Sequence, residues 1–460
     1  MNKRQHLATR RQFITSSMLT GLACANADLM RARAAGGQHP DTAVILVWLT
    51  GGLSHMDTYD LKPDAPVEYR GDFRPINTSV AGIEVGELLP MHAKIADKFN
   101  LLRSLHHGFS GHDGAHKRVL TGRVPKSPTG FVNDAPSIGC IVNKVRARYR
   151  PDSLAFVSAQ REGTNVDAYS QGSAYLGKSH GPFLAPGDPS QEDWDVPNLT
   201  LLPELQARFQ GRRRLLDRFD RFREQVDRSA SFESTDRFQS KALALLTSEK
   251  SRQAFDLSQE DEAVRNRYGF TRYGQRALLA RRLIEAGTSF VNVVMESPGT
   301  EIPAAKNVVY NWDCHAVNCH VFDDARWRFP HFDQAVSGLI EDLYTRGLDK
   351  KVMLVVTGEF GHTPRISNQK GTATGIMQPG RDHWPGVYSA LVSGGGMQTG
   401  QVLGSSDSLG EQPKDRPLSP DHLWATVYRH LGIDLERTFP NLAGRPMPIL
   451  PGGSVIDELL

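Results

Sequence analysis

Cysteine is scarce in this chain: there are four in 460 residues, and no two form a Cys-x-x-Cys pair. That excludes a structural zinc ribbon. Cys24 falls in the N-terminal leader discussed below. Cys140, Cys314 and Cys319 then make an odd set, compatible with one disulfide and one free thiol, and the sequence does not choose the pair. A long apolar run is also lacking near the N-terminus, where the stretch from Phe13 to Ala25 is too short and too polar to span a bilayer permanently. There is no excess of one charge sign either. The formal net charge is +3, but residues 1–34 hold six basic side chains against Asp28, so the remainder carries −2. Nothing in that balance points to nucleic acid or an anionic membrane surface. No Gly-Lys-Ser/Thr follows Gly394-Gly395-Gly396, so that run is a turn and not a phosphate loop. No internal repeat is present.

What is present begins with an export signal over residues 1–34. Thr9-Arg10-Arg11-Gln12-Phe13-Ile14 is a twin-arginine core, followed by the modest apolar run. Ala25-Asn26-Ala27 and Ala32-Arg33-Ala34 both offer small residues for cleavage. The expected partner is the twin-arginine translocation machinery, which carries folded proteins, and the expected location is periplasmic or secreted.

The mature chain, 40–460, is organised around Lys351-Val-Met-Leu-Val-Val-Thr-Gly-Glu359-Phe-Gly-His362-Thr-Pro-Arg365 and the later Gly380-Arg381-Asp382-His383-Trp-Pro385. A short apolar run ending in Thr-Gly predicts a buried strand with Glu359 at its carboxyl end, the rim where ligands bind in open α/β sheets. A carboxylate there and an imidazole on the next loop suit a divalent metal. The plainer alternatives are a helix-capping Glu359 and a hydrogen-bonded surface turn at Asp382-His383; the further pieces below favour the metal. Residues 42–50 predict a second buried strand, broken by Gly51-Gly52 and followed by His55, Asp57 and Asp60. Asp57 is the best ligand candidate of the three, and Asp60 can simply order the turn. Four of the sixteen histidines (His106, His107, His112 and His116) cluster after a short strand at 101–104, some of them free to bond only backbone. Lys117–Thr121 predicts a helix ending at Gly122. After a strand at 288–295 comes Asp313-Cys-His315, whose i and i+2 side chains share a face in an extended loop. Strands are expected at 153–158 and 387–393. Helices are expected at 137–148, 273–286, 332–348 and 419–431. Residues 160–200 are read as mostly loop, and 200–270 as a helical insertion in which Arg212-Arg213-Arg214 is a solvated helix face interleaved with acids. Strand, helix, strand in this order predicts an α/β fold with a mainly parallel sheet flanked by helices.

Gly-Gly-x-Ser-x-x-Asp-Thr-x-Asp from Gly51, Trp312-Asp-x-His, Gly358-Glu-Phe-Gly-x-Thr-Pro and Gly380-Arg-Asp-His-Trp-Pro resemble, in this order, the exported domain of unknown function 1501 family. That family is similar in fold to the alkaline phosphatase and sulfatase superfamily. The resemblance covers residues 40 to 450 and implies a metal-type site. Asp57, Asp313, His315, Glu359, Asp382 and His383 are the implied ligands, holding one or two divalent ions such as Zn, Ca, Mg or Mn. His112-Asp-Gly-Ala-His116-Lys-Arg-Val-Leu120-Thr-Gly-Arg123 resembles the tail of the sulfatase nucleophile motif, with His112 at the Cys position and His116 at the Arg position. No formylglycine can form there. The expectation is an exported metal-dependent hydrolase of phosphate or sulfate esters, acting on a small-molecule or polysaccharide substrate. Its attacker would be a metal-bound hydroxide or His112, with His116 beside it and Arg365 or Arg381 clamping an anionic oxygen. The alternative is a non-catalytic, metal-containing binding or scaffold protein on the same fold.

Overall fold

The computed structural model describes residues 41–149, 153–196, 249–299 and 308–460. The export signal and residues 200–248 of the expected insertion lie outside them. At the centre is an eight-stranded sheet, numbered here in chain order: β1 Ala43–Leu49, β2 Phe99–Leu105, β3 Phe156–Gln160, β4 Phe183–Pro186, β5 Phe290–Met295, β6 Val352–Gly358, β7 Tyr388–Gly394 and β8 Gln401–Leu403. The spatial order is β8-β2-β7-β6-β1-β5-β3-β4. Every pairing is parallel except those of β7, which runs against both its neighbours.

β1 shows why the sheet is buried on both faces. Its alternate residues divide between two apolar clusters: Ala43, Ile45, Val47 and Leu49 on one side, Val44, Leu46 and Trp48 on the other. A strand's period of two sends them there. Helices cover the first face with α5 (Arg272–Glu285) and α6 (Val321–Thr345) and the second with α1 (His112–Thr121), α2 (Ile138–Arg146) and α7 (Pro420–His430). Between them in sequence, α3 (Glu249–Phe255) and α4 (Glu262–Tyr268) pack on α5.

One expectation is refined and one corrected. The stretch 160–200 is mostly loop but contains β4, a four-residue edge strand ending in Pro186. An edge is where a strand tolerates proline, since one side of the ladder needs no donor. α6 begins at Val321 rather than Phe332 and runs through Pro330. Proline's missing N–H usually marks a helix boundary. Here the helix starts a full eleven residues earlier, capped by His320, whose ring accepts from the Asp323 N–H.

Register aligns the strand ends. Leu49 lies opposite both Met295 of β5 and Gly358 of β6, and Leu105 lies opposite Tyr388 of β7. The residues just past β1, β2, β5 and β6 therefore emerge along one rim, together with those just before β7. Gly51 lets another segment settle on it. Its φ is +104°, and a Cβ there would lie 2.2 Å from the Asp313 nitrogen. The Trp312 N–H donates to the Thr50 carbonyl at 2.9 Å, and its indole N–H to the Met295 carbonyl at 2.8 Å. Gly51 thus admits the chain's own backbone at 312–313, and Gly52 admits Phe360. Gly51→Ala is expected to destabilise the fold by at least about 2 kcal/mol from backbone strain alone, read as a lowered urea midpoint at unchanged slope.

Candidate metal centre

Three segments of the rim bring imidazoles and carboxylates together. α1 begins at His112, earlier than the sequence indicates, so His112 and His116 are one helical turn apart and share a face. The loop after β5 carries Asp313 and His315, and the approach to β7 carries Asp382 and His383. Asp313 is the hub. Its Oδ1 lies 2.6 Å from His315 Nε2 and 2.7 Å from His383 Nε2, and its Oδ2 lies 3.2 Å from His112 Nε2. The two Nε2 atoms of His315 and His383 are 3.0 Å apart.

Partners on the far side of each ring fix the tautomers. His383 Nδ1 faces the Ser110 carbonyl at 2.7 Å, and His315 Nδ1 faces Asp382 Oδ1 at 3.0 Å. Both partners accept, so each Nδ1 carries a hydrogen, and each Nε2 faces the other and Asp313. Two lone pairs and a carboxylate oxygen converging on one spot repel unless a cation or a proton stands among them. Imidazole nitrogens and a carboxylate oxygen, with outer carboxylate and carbonyl groups orienting the rings, are a donor set that could hold a divalent ion.

Behind the hub sits Glu359, fully buried. Its Oε1 accepts from the Gly51 N–H at 2.7 Å and lies 3.0 Å from His112 Nδ1 and 3.2 Å from His116 Nε2. Glu359 Oε2 and His116 Nδ1 are buried with no hydrogen-bond partner among the described residues. His112 therefore bridges Glu359 and Asp313, and belongs to two groups close enough to hold an ion: His112–Asp313–His383 and His112–His116–Glu359. The first is open, with side chains 18–30% exposed; the second is sealed, Glu359 and His116 being 0% and 2% exposed. The Asp313 group is therefore open to solvent, whereas Glu359 and His116 are not.

Charge follows the geometry. Burial alone lowers the His112 pKa, but the hydrogen bonds from Asp313 and Glu359 outweigh it and raise it to about 10. Burial likewise works against Asp313 and Glu359, yet their imidazole partners hold both carboxyls well below the usual range. Burial opposes protonation of His315 too, and its hydrogen bond to Asp313 overrides it upward.

Not every expected residue arrives. Asp57 is buried in a separate pair: Arg381 Nε donates to its Oδ2 at 2.9 Å, Arg381 Nη2 to its Oδ1 at 3.3 Å, and Ser54 adds its hydroxyl. Arg381 is 0% exposed, and its remaining donors go to the carbonyls of Thr363, Pro364 and Tyr69. Neither residue faces the hub, because each satisfies the other. Asp60 pairs with Lys62, and His55 donates to the Gly410 carbonyl, so both order the turn. Asp382 is held by His315 rather than His383. Arg365 is exposed beside a cleft of about 420 Å³ that Asp382 and Trp384 also line. Two supports carry no role in the sequence analysis: His362, which donates to the Gly51 carbonyl at 2.9 Å, and the Ser110 carbonyl. His107, from the histidine cluster, donates to the Glu359 carbonyl at 2.6 Å. Burial lowers the pKa of His107 and His362 to about 4, keeping both neutral as struts.

The family described as a protein of unknown function (DUF1501) matches residues 41–460. The chain belongs to this family. None of the curated proteins matches it in sequence. Among solved structures it is similar to the PsFucS1 sulfatase from Pseudoalteromonas sp., at 12% identity over 90% of this chain and 71% of that one, with a TM-score of 0.36. A phosphonate monoester hydrolase of Agrobacterium radiobacter matches at 11% identity over 91% and 77%, TM-score 0.37. The C-terminal periplasmic domain of EcEptC from Escherichia coli, in complex with Zn, matches at 10% identity over 85% and 82%, TM-score 0.35.

In the metal-free chain the raised His112 pKa has a stability consequence. Its contribution is full below the ordinary value of 6.5 and is lost as pH rises through about 10. The urea midpoint of chelator-treated protein is expected to fall across that window, and less steeply in His112→Gln.

Proposed function

We propose that this chain is an exported, metal-dependent hydrolase of phosphate or sulfate esters. The observation that carries the reading is the convergence of two tautomer-fixed imidazoles, His315 and His383, on Asp313 at the open rim of the sheet. These three residues would hold one ion. Imidazole nitrogens with a single carboxylate oxygen favour Zn²⁺ over Ca²⁺ or Mg²⁺, and three protein ligands are the count of a catalytic zinc site. A bound Zn²⁺ supplies Lewis acidity and brings the pKa of a water down to about 7.

The remaining work falls to residues of the chain. Glu359, fixed by the Gly51 N–H, holds the His112 ring through Nδ1 and leaves Nε2 facing Asp313. His112 is thereby the group that holds a proton at the open side and passes it as the ester bond breaks. His116 supports Glu359 from the sealed side. Arg365, exposed beside the cleft next to Asp382, is the cation available to an anionic substrate; Arg381 is already spent on Asp57. A polysaccharide ester or a small organic ester both fit this description. Periplasmic or secreted location is supported by the twin-arginine leader and by a disulfide between Cys314 and Cys319, a bond of oxidising compartments. Among the described residues no helix is long and apolar enough to cross a membrane.

The second reading, a non-catalytic metal-holding scaffold, draws on position 112, where no Ser, Thr or Cys stands to form a covalent ester. Elemental analysis of protein expressed with metal supplied is expected to find one equivalent of zinc, and Asp313→Asn or His383→Ala to lose it. Metal-free wild type would sink the metal reading. In an ester panel run with Zn²⁺, Mn²⁺, Mg²⁺ and Ca²⁺, Glu359→Gln and His383→Ala are each expected to cut turnover by about 100-fold or more. No turnover by wild type with any ester or ion would leave the scaffold.

A further inference from the structure

The segment that carries the hub has no regular secondary structure. Residues 311–320 form neither strand nor helix, so no ladder of backbone bonds holds Asp313 and His315 in place. The loop's own bonds are short-range: Cys319 N–H to the His315 carbonyl at 2.9 Å, His315 N–H to Asn318 Oδ1 at 2.8 Å, and Asn318 Nδ2 to the Asp313 carbonyl at 3.0 Å. Beyond them, Trp312 ties the start of the loop to the Thr50 and Met295 carbonyls, ahead of Asp313, and Gln378 Nε2 and the Thr372 N–H reach the carbonyls of Ala316 and Val317, after His315. One covalent bond closes the loop. Cys314 and Cys319 are joined, with Cα atoms 5.7 Å apart and both residues buried at the edge of the core. His315 lies inside the closed loop, and Asp313 immediately precedes it. The third candidate pair partner, Cys140, is buried and free.

We propose that the Cys314–Cys319 disulfide is a working part of the metal centre: it pre-sets Asp313 and His315, so that the chain acquires its ion with full affinity only after these thiols have been oxidised. This rests on the ion being held by Asp313, His315 and His383, as proposed above. The covalent step is thiol–disulfide exchange. One cysteine, as its thiolate, attacks a disulfide of an oxidoreductase. The second, as its thiolate, then attacks the first cysteine's sulfur in the mixed disulfide, forming Cys314–Cys319 and releasing the partner's sulfur. The two cysteines lose two hydrogens, and the partner leaves as a dithiol. Neither Asp313 nor His315 is altered. What changes is the freedom that the loop surrenders when the ion binds, a cost that pre-organisation removes from the binding step.

The test is Zn²⁺ affinity, measured by competition with a chromogenic chelator on four samples: oxidised wild type, phosphine-reduced wild type, Cys314→Ser/Cys319→Ser, and Cys140→Ser as the control. Circular dichroism and thermal melting are recorded on each. Affinity is expected to weaken by about 10- to 100-fold in the reduced protein and in the double variant while both stay folded. Reoxidation of the reduced sample should restore it, and Cys140→Ser should match wild type. Equal affinity in all four samples overturns the inference and leaves the metal reading standing. Weakening seen only where the melt shows loss of the fold also overturns it, because the bond is then a general staple. No Zn²⁺ bound by the oxidised wild type overturns the metal reading beneath it.

Discussion

The carboxylate of Asp313 is the interaction on which the arrangement of the rim depends. One oxygen meets two imidazole nitrogens, at 2.6 and 2.7 Å, and the other meets a third. Such a crowd is stable only with positive charge in its midst, as protons or as a metal ion. Asp313 stands there because Trp312 is pinned to the ends of two strands, β1 through Thr50 and β5 through Met295. Gly51, at φ +104°, leaves the space the backbone needs. Sheet register, a glycine and one carboxylate are thus a single constraint seen at three scales.

The centre is also asymmetric, and the asymmetry sorts its residues by role. Glu359 and His116 are sealed, whereas Asp313, His315, His383 and His112 are partly open. Phe360 enforces the division. It follows Glu359 on the strand tip, is 1% exposed, and lays its ring 4.2 Å from that of His383 and 5.4 Å from that of His112. A phenyl ring donates nothing to an ion. It packs against the open imidazoles, while His112, which meets both Glu359 and Asp313, links the open and sealed groups.

Much of this was legible in the sequence where the cause is local. The short, β-branched apolar runs over β1 and β6 read as buried strands, and a charged residue directly after one falls at its rim, as Glu359 does. Asp313-x-His315 showed a shared face for the same reason. Long-range pairing leaves no such trace. Asp57 and Arg381 are 324 residues apart, and each looked available until the other claimed it. The outer partners of the imidazoles were illegible in a different way: Ser110 contributes a carbonyl, which every residue has, so no residue type announces it. α1 began earlier than expected because Gly111 and His112 lack the usual side-chain capping signal.

β7 explains how His383 reaches the rim at all. In a parallel sheet the loops that carry ligands follow their strands, because every strand ends on the same side. A ligand that precedes its strand would then lie at the opposite edge, roughly a strand's length away. β7 is the exception in this sheet, antiparallel to both β2 and β6, so its entrance and not its exit lies beside Glu359. The two-residue bridge that pairs His383 with His362 holds that entrance against the end of β6. Reversing one strand therefore completes a donor set that seven parallel strands would leave a ligand short.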